Sequence, residues 1–283
     1  MSPPTSRTEI LAKLRAQIAE GKPIVGAGAG IGLSAKGIEE GGGDLIIIYN
    51  SGRFRMAGRG SLAGLMPYGN ANDIVLEMAN EILPILKTTP LLAGICATDP
   101  FRSLPQFLTT LKSLGIAGVQ NFPTVGLIDH DSVFRANLEE SGMGYDAEVA
   151  LIKLAHDMDM LTTPYAFNVD EARRMAEAGA DVVVAHMGLT ASGGVGAKSG
   201  KTLEESVRDV QAIRDAAVEV NKDVIVLCHG GPIAMPEDAE FVLSRTKGVH
   251  GFYGASSVER LPVEKAIKAT VGEFKGLGFG KHE

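Results

Sequence analysis

Short apolar runs alternate with amphipathic segments along the whole chain. The runs are nearly continuously apolar, which is typical of parallel strands covered on both faces and not of strands with one face in solvent. Eight runs predict strands, at residues 23–30, 45–52, 90–97, 118–125, 160–167, 181–188, 223–231 and 251–258.

The segments between these runs carry signals for the start and end of helices. Ser103 and Gln106 stand in capping-box spacing, as do Thr202 and Glu205. A further helix near residues 8–20 precedes the first strand. Strands and helices therefore alternate from end to end.

Eight strand–helix units in 283 residues fit a (β/α)8 TIM barrel, which typically needs about 250 residues. We expect an α/β fold with eight parallel strands in one domain over residues 1–283. In this prediction residues 1–22 hold an extra N-terminal helix, and residues 23–283 form the barrel.

A doubly wound dinucleotide-binding sheet is the alternative, because "GAGAGIG" follows the first strand. Gly26, Gly28, Gly30 and Gly32 recur at every second position, so no placement gives the G-x-G-x-x-G spacing. The second predicted strand also lacks the acidic residue that would bind a ribose. The barrel is favoured.

Composition narrows the classes of partner. The chain has 27 Lys and Arg against 34 Asp and Glu, a net charge of −7, which argues against a nucleic-acid surface. No apolar run approaches membrane-spanning length, so no membrane contact is expected. Cys96 and Cys228 are too few for a disulfide scaffold. We expect a cytoplasmic protein.

Polar and small residues stand where the predicted strands end. In a barrel these carboxyl ends share one opening, where catalysis takes place. The candidate substrate-binding residues from the first five strands are Gly28, Asn50, Ser51, Gly52, Arg53, Asn121 and Tyr165.

Two glycine-rich turns follow the seventh and eighth predicted strands, "HGGP" at 229–232 and "GASS" at 254–257. Barrels frequently bind phosphate with these two loops, through backbone N–H groups and a helix N-terminus. We expect Gly231, Gly254, Ser256 and Ser257 to bind an anion. The alternative is two tight turns and a helix cap.

The segment "GGVGAKSGKT" at 193–202 resembles a P-loop but has Val195 where that motif requires glycine. We expect a glycine-rich lid whose Lys198 and Lys201 meet a negative substrate. A solvated loop without function is the alternative.

Asp99, His186 and His229 end the third, sixth and seventh predicted strands and are the candidate catalytic residues. Two histidines and one carboxylate make a plausible divalent-metal site, with Asp99 as the candidate ligand. The alternatives are a histidine that hydrogen-bonds backbone and an Asp-Pro turn at Asp99. Cys228 adjoins His229, but neighbours on a strand point to opposite faces, so they form no nucleophile–base pair.

Four segments, "YNSGRFRMAGRGSLAGLMPYGNAND", "NFPTVGLID", "HMGLTASGGVG" and "GFYGASSVERLP", resemble the TIM-barrel family described as phosphoenolpyruvate hydrolase-like or phosphonopyruvate hydrolase-like. The barrel is also similar to the C-terminal domain of a plant tobamovirus-resistance protein. The resemblance covers nearly the whole chain.

The resemblance extends to the wider superfamily of phosphoenolpyruvate mutase and isocitrate lyase. It implies Mg²⁺ bound by acids beyond the third and fourth strands, and a Ser-Gly pair after the second. Here Ser51-Gly52 matches the pair and Asp99 stands for one acid. The usual Asp-x-Asp is absent because Ala97 holds its earlier position, and Gln120-Asn121 replace the acid after the fourth strand. The Lys-Cys-Gly-His motif of the lyase is also missing.

From the resemblance we expect a homo-oligomeric hydrolase that cleaves the C–P bond of a small anionic keto acid to pyruvate and phosphate. Mg²⁺ on Asp99 would stabilise the enolate, Arg53 would hold the phosphonate, and His186 or His229 would be the base. The alternatives are a metal-dependent lyase or dioxygenase, and a regulatory barrel that binds a nucleotide or phosphate.

Overall fold

The computed structural model describes residues 2–197 and 200–278. These residues form one parallel sheet surrounded by helices. The strands are β1 (Ile24–Gly28), β2 (Leu45–Ile48), β3 (Leu91–Gly94), β4 (Gly118–Gln120), β5 (Leu161–Thr162), β6 (Tyr165–Ala166), β7 (Val182–His186), β8 (Ile225–His229) and β9 (Gly251–Gly254). The helices are α1 (Arg7–Ala19), α2 (Gly32–Glu40), α3 (Asn50–Met56), α4 (Ala71–Ile82), α5 (Leu104–Leu114), α6 (Val133–Glu140), α7 (Tyr145–Asp157), α8 (Val169–Glu177), α9 (Leu203–Val220), α10 (Pro236–Leu243) and α11 (Arg260–Lys275). None of these helices combines the length and apolar character needed to cross a membrane.

The parallel sheet is as predicted, but the number of strands is not. The described residues contain nine strands in the order β5-β4-β3-β2-β1-β9-β8-β7-β6. The fifth predicted strand is divided, because Pro164 has no N–H to continue the ladder. Its first half pairs with β4 and its second half with β7. Only Thr163 and Pro164 separate the two end strands of the sheet, so the sheet curls until its ends lie close together.

Alternation along the strands divides the core into two layers. One layer lies inside the curled sheet and includes Ile24, Leu45, Ile47 and Tyr253. The other lies between the sheet and the helices, and Cys228 belongs to it. Cys228 and His229 therefore point to opposite faces, as the sequence predicts.

Helix α1 packs at the amino-terminal end of the strands. Its buried Ile10, Leu11 and Leu14 belong to the inner layer of the core. Arg7 Nη2 pairs with Asp181 at 2.8 Å, one residue before β7 begins. This end of the sheet is thus covered, and the carboxyl ends remain for the site.

The helix boundaries agree with the capping signals in part. Thr202 and Glu205 form a reciprocal capping box at the start of α9. Ser103 precedes α5 but makes no side-chain cap. The second predicted strand is too long, because the chain turns into α3 at Asn50. This difference decides which side chains reach the site.

Candidate active site

A small cavity lies inside the sheet at the carboxyl ends of the strands, and we call it the mouth cavity. Its volume is about 20 Å³, which is room for about one water molecule. Its polar and aromatic lining residues are Tyr49, Ser51, Arg55, Ser61, Phe122, Tyr165, His186, Thr190, His229 and Ser256. Strands remote in sequence therefore share one opening.

Arg55 supplies a fixed positive charge to this cavity. Its side chain is only 1% exposed, and Glu259 Oε2 lies 3.6 Å from its Nη2. Nη1 donates to Ser51 Oγ at 3.3 Å, and Nη2 donates to Tyr49 Oη at 3.5 Å. Ser51 and Arg55 meet because four residues in α3 place them on one helix face.

The ion pair between Arg55 and Glu259 is wholly buried. Burial opposes the charge on Arg55, but Tyr49 and Glu259 outweigh it and raise the pKa of the guanidinium. Burial raises the pKa of Glu259, against the opposing effects of the Arg55 charge and the Gly30 N–H, which donates to Oε1 at 2.5 Å. Arg55 Nε has no hydrogen-bond partner among the described residues. The guanidinium thus retains one donor that the described fold does not use.

A short chain of serines connects the loops after β2 and β9. Ser51 Oγ donates to Ser61 O at 2.7 Å, and the hydroxyls of Ser61 and Ser256 are 3.3 Å apart. All three serines line the mouth cavity beside Arg55. Hydroxyls that can turn between donor and acceptor suit the oxygens of a small acid.

His186 and His229 end the neighbouring strands β7 and β8, where they are paired in register. The Gly188 N–H donates to His186 Nδ1 at 3.0 Å, so the proton of neutral His186 is on Nε2. His229 Nδ1 contacts the Tyr253 carbonyl, which only accepts, so the proton of neutral His229 is on Nδ1. The Nε2 atoms of the two rings therefore differ in role: Nε2 of His186 is a hydrogen-bond donor, and Nε2 of His229 is an acceptor.

Both histidines are neutral near pH 7. The pKa of His229 is lowered to about 4, mainly by burial; the hydrogen bond with the Tyr253 carbonyl opposes this shift and the Arg55 charge adds to it. Burial places the pKa of His186 well below its usual range, and repulsion of a second proton by His229 and by the Lys201 charge acts in the same direction. The Tyr165 ring stacks on His229 at 5.2 Å and meets the His186 edge at 4.7 Å, which holds both rings.

A loop after β7 covers the mouth cavity, and we call residues 188–197 the roof loop. Gly188, Leu189 and Thr190 line the cavity directly. Gly231, with φ +60°, donates its N–H to Gly188 O at 2.7 Å and accepts from Ala191 N at 2.9 Å. The space that the roof loop encloses holds about one water molecule.

Three predicted polar side chains do not line the cavity. Arg53 is on the surface and pairs with Glu81 at 2.9 Å. Asn50 donates to Gly64 O and accepts from Ser51 N. Asn121 donates to Tyr165 O and accepts from Tyr165 N, so it joins β4 to β6. The amides of both asparagines are thus used within the fold.

The predicted anion site of the two glycine-rich turns is only partly brought together. Ser256 lines the mouth cavity, whereas Ser257 lines a separate groove on the outside of the sheet. The Gly231 N–H is already bonded to Gly188 O. Gly254 packs against Phe252 and Val258.

The predicted glycines near β1 and β2 allow close packing. A Cβ at Gly28 would lie 3.0 Å from Tyr49 Oη and 3.3 Å from Arg55 Nη2, so Gly28 leaves room for both groups. Gly52 packs against Ala29 and Gly30, which brings α3 close to the end of β1. Both positions shape the site without contributing a side chain.

Asp99 does not fit a metal ligand. Its Oδ2 accepts from Asn70 at 3.0 Å and Asn72 at 2.9 Å, and Arg102 Nε lies 3.2 Å away. Its Oδ1 accepts from Phe101 N at 3.0 Å. Burial raises the pKa of this carboxyl, but the four donors outweigh burial and hold the pKa below its usual range.

The two-histidine and carboxylate set is not brought together either. Asp99 does not line the mouth cavity beside His186 and His229. Within residues 2–197 and 200–278, no cluster of three or more His, Cys, Asp or Glu side chains has a metal-binding arrangement. The residues that line the mouth cavity include no carboxylate, so this lining does not fit Mg²⁺, and the charged side chain among them is Arg55.

Of the two lysines of the predicted lid, Lys201 is described, and it does not line the mouth cavity. Lys201 Nζ pairs with Asp209 at 2.5 Å on the surface. Lys198 lies outside the described residues.

Four residues of the site are not among those predicted from the sequence: Tyr49, Arg55, Ser61 and Glu259. A single strand over residues 45–52 makes Arg53 the first arginine after its end. Helical spacing from Ser51 would have indicated Arg55. For Glu259 the sequence offers no comparable signal, because its partner is 204 residues away.

A second buried acid that the sequence does not predict is Glu148 on α7. Glu148 accepts from Asn121 Nδ2 at 2.6 Å, Thr124 Oγ1 at 2.7 Å and Val125 N at 2.8 Å. Burial raises its pKa to about 8 despite these three hydrogen bonds. Glu148 lies behind Asn121 and supports the carboxyl end of β4.

The family model described as phosphoenolpyruvate hydrolase-like matches residues 9–277. The ToMV susceptible protein tm-1(GCR26) of Solanum lycopersicum is 66% identical over 273 residues. The match covers 96% of this chain but 36% of the tomato protein, so the chain spans about a third of that relative's length.

Two solved structures share the fold. One is the crystal structure of oxaloacetate acetylhydrolase, with TM-score 0.59, 16% identity, and coverage of 95% of this chain and 88% of that one. The other is phosphonopyruvate hydrolase in complex with oxalate and Mg²⁺, with TM-score 0.56, 18% identity, and coverage of 94% and 87%. At these identities the likeness concerns the fold alone.

Proposed function

This chain belongs to the phosphoenolpyruvate hydrolase-like family, and we propose that it hydrolyses a small phosphonylated or phosphorylated keto acid, of the phosphonopyruvate type, in the mouth cavity. The observation that carries the proposal is the buried Arg55 guanidinium beside two neutral histidines with opposite tautomers. Together they supply an anion site, a proton acceptor and a hydrogen-bond donor.

Arg55 would bind the charged end of the substrate. A guanidinium presents several donors in one plane and so matches a carboxylate or a phosphonate in a way that a lysine cannot. The hydroxyls of Ser51, Ser61 and Ser256 would take the remaining oxygens. Glu259 keeps Arg55 in place from the side away from the cavity.

The two histidines would have different roles, His229 as the base and His186 as a hydrogen-bond donor. Water attacks phosphorus while His229 Nε2 takes its proton, and the C–P bond breaks with its electrons passing to the enolate of pyruvate. His186 Nε2–H would donate a hydrogen bond to the developing enolate oxygen. The proton that His229 took from water would then pass to the enolate carbon and give pyruvate, with phosphate as the second product.

A metal-dependent reaction and a purely regulatory role have less support in the site. A dioxygenase or metal-dependent lyase would need Asp99 beside the histidines, and Asp99 is occupied elsewhere. A regulatory barrel would bind phosphate or a nucleotide without turnover. Thermal-shift measurements separate this case, because a ligand of the folded state raises the melting temperature.

The test is a substrate panel of phosphonopyruvate, phosphoenolpyruvate and oxaloacetate. We expect pyruvate and inorganic phosphate in equal amounts from at least one phosphorus compound, and loss of both products in His229→Asn. Cleavage of oxaloacetate alone would replace the proposal with C–C hydrolysis. Phosphate-induced stabilisation without any turnover would favour the regulatory barrel.

A further inference from the structure

Side-chain amides, and not backbone pairing, connect β4 to the start of β6. Among the described residues, the backbone ladder from β4 toward this segment ends where Thr163 N donates to Val119 O at 3.0 Å. Gln120 Nε2 then donates to Thr163 O at 2.9 Å, and the Asn121 amide bonds both backbone groups of Tyr165. An amide side chain can replace a peptide group in this way because it carries both an acceptor and a donor.

The hydrogen bonds of Asn121 select one orientation of its amide. The Tyr165 N–H can only donate, so it holds Asn121 Oδ1 at 2.7 Å and leaves Nδ2 for two acceptors. One acceptor is Tyr165 O at 3.3 Å, and the other is Glu148 Oε2 at 2.6 Å. Glu148 is fixed in turn by Thr124 Oγ1 at 2.7 Å and Val125 N at 2.8 Å. The carboxyl group therefore ties Asn121 to α7.

Tyr165 connects this arrangement to the two histidines. Its ring stacks on His229 with the centroids 5.2 Å and the planes 17° apart, and it meets the His186 ring edge-on at 4.7 Å. All three side chains are buried. A shift of the Tyr165 backbone would carry its ring away from His229 and open that histidine to water. Tyr145 Oη is a second tie, because it donates to Tyr165 O at 2.6 Å.

We propose that Asn121, held by Glu148, is the positioning residue of the histidine pair, because through Tyr165 it sets how His229 faces the mouth cavity. The catalytic meaning of this proposal rests on the proposed function, in which His229 is the base. Neither Asn121 nor Glu148 lines the cavity, so neither is placed to touch a substrate. Their effect should appear in the state of His229 and in kcat, and not in the binding that Arg55 supplies.

Titration of His229 gives a test that needs no substrate. The chain has six histidines, and nitrogen NMR signals of their rings can be assigned with His186→Asn and His229→Asn. The groups that face His229 include the Arg55 charge, the His186 and Tyr165 rings and the Tyr253 carbonyl. In the native chain we expect the midpoint of His229 at about pH 4.

Two substitutions of Asn121 separate its hydrogen bonds from its volume. Asn121→Leu removes both bonds to Tyr165, so water should reach His229 and raise its midpoint by about one pH unit or more. Asn121→Asp keeps an oxygen for the Tyr165 N–H and can share the proton that Glu148 holds, so it should raise the midpoint less. Asn137→Leu, at an exposed position of α6, is the matched control and should titrate like the native chain.

Steady-state kinetics on the best substrate of the panel gives the second readout. We expect kcat of Asn121→Leu to fall on the order of 10- to 100-fold, because a small displacement of the base is enough to slow proton transfer. KM should change by less than about threefold, since Arg55 still binds the anion. Asn121→Asp should recover most of kcat, and Asn137→Leu should match the native chain.

Tyr145→Phe keeps the test decisive if Asn121→Leu does not fold. It removes the second donor to Tyr165 O, so combined with Asn121→Asp it should raise the His229 midpoint more than either change alone. An unchanged midpoint in this double variant or in folded Asn121→Leu would overturn the proposal, as would equal shifts in Asn121→Leu and Asn121→Asp. A native chain that turns over no substrate of the panel would end the proposed reaction, whereas the titration would still decide the role of Asn121.

Discussion

His186 and His229 lie side by side with ring centroids 4.4 Å apart, and their backbone partners fix their protons on opposite ring nitrogens. A pair of equally charged imidazolium rings at this distance would repel strongly. Two neutral rings with opposite tautomers avoid that repulsion and still offer one acceptor and one donor. The pair can therefore serve as base and hydrogen-bond donor without a net charge.

Because His229 is neutral in the folded chain, the free energy of unfolding should depend on pH. Its folded-state pKa of about 4 is below the ordinary value of 6.5, so the unfolded chain binds more protons between these values. Its contribution to stability is present above pH 6.5 and is lost as the pH falls toward 4. Urea unfolding at pH 7 and pH 4.5 should show a loss in the native chain that exceeds the loss in His229→Asn by about 2 kcal/mol. Equal losses would mean that His229 is not held neutral.

Arg55 and Arg53 provide a matched pair for the anion site. Arg55→Lys keeps the charge beside Glu259 but loses the planar set of donors, so we expect kcat/KM to fall on the order of 100-fold. Arg53→Lys, on the surface beside Glu81, should leave it unchanged. Steady-state kinetics on the best substrate of the panel measures both. A similar effect of the two variants would remove Arg55 from substrate binding.

The contrast between Arg55 and Arg53 also shows how far the site could be predicted from the sequence. The alternation of strands and helices was readable because parallel strands leave continuous apolar runs. His186 and His229 were readable as strand ends for the same reason. Arg55 was not predicted because the second strand ends earlier than expected. Beyond its end the chain is helical, so the residues that share a face with Ser51 recur every 3.6 positions and not every two. Arg55, and not Arg53, therefore points the same way as Ser51.

Other features depend on contacts that no local pattern encodes. Glu259 follows β9 and Arg55 lies in α3 after β2, so the two charges meet only because β9 and β2 both lie beside β1 in the sheet. Asp99 looked like a ligand because a carboxylate at a strand end is a good candidate. Its four donors come from the start of α4 and the turn after β3, and only the folded chain brings them together.

Asp99→Asn should affect stability and not metal binding. The amide nitrogen introduced at this position would face the donors of Asn70 or Asn72, and the charge opposite Arg102 would be lost. We expect unfolding free energy to fall by about 2–4 kcal/mol. Any turnover should persist in the folded variant and should not require added Mg²⁺. Full stability combined with a lost Mg²⁺ dependence would restore Asp99 as a ligand.

Glu148 should make the stability of the fold depend on pH in the direction opposite to His229. Its folded-state pKa of about 8 is above the ordinary 4.5, so the folded chain holds an extra proton between these values. Its contribution is present below pH 4.5 and is lost as the pH rises through 8. The melting temperature of the native chain should therefore fall more between pH 6.5 and 9.5 than that of Glu148→Gln, which does not titrate. A parallel fall would show that Glu148 is ionised in the fold.

The roof loop should open more readily when its tie to α11 is removed. Glu264 accepts the Gly194 N–H and orients Arg260, which in turn holds Ser192 O. Glu264→Ala removes the first contact and loosens the second, so limited proteolysis within residues 190–202 should become several-fold faster. Glu273→Ala, an exposed glutamate later in the same helix, is the control and should be cleaved like the native chain.

Substrate access links this loop to turnover. If opening limits entry to a cavity of about 20 Å³, the Glu264→Ala variant should admit substrate faster but hold it less well. We therefore expect KM to rise while kcat changes less. Unchanged proteolysis in Glu264→Ala would show that other contacts hold the roof loop, with the Gly231 hydrogen bonds as the first candidates.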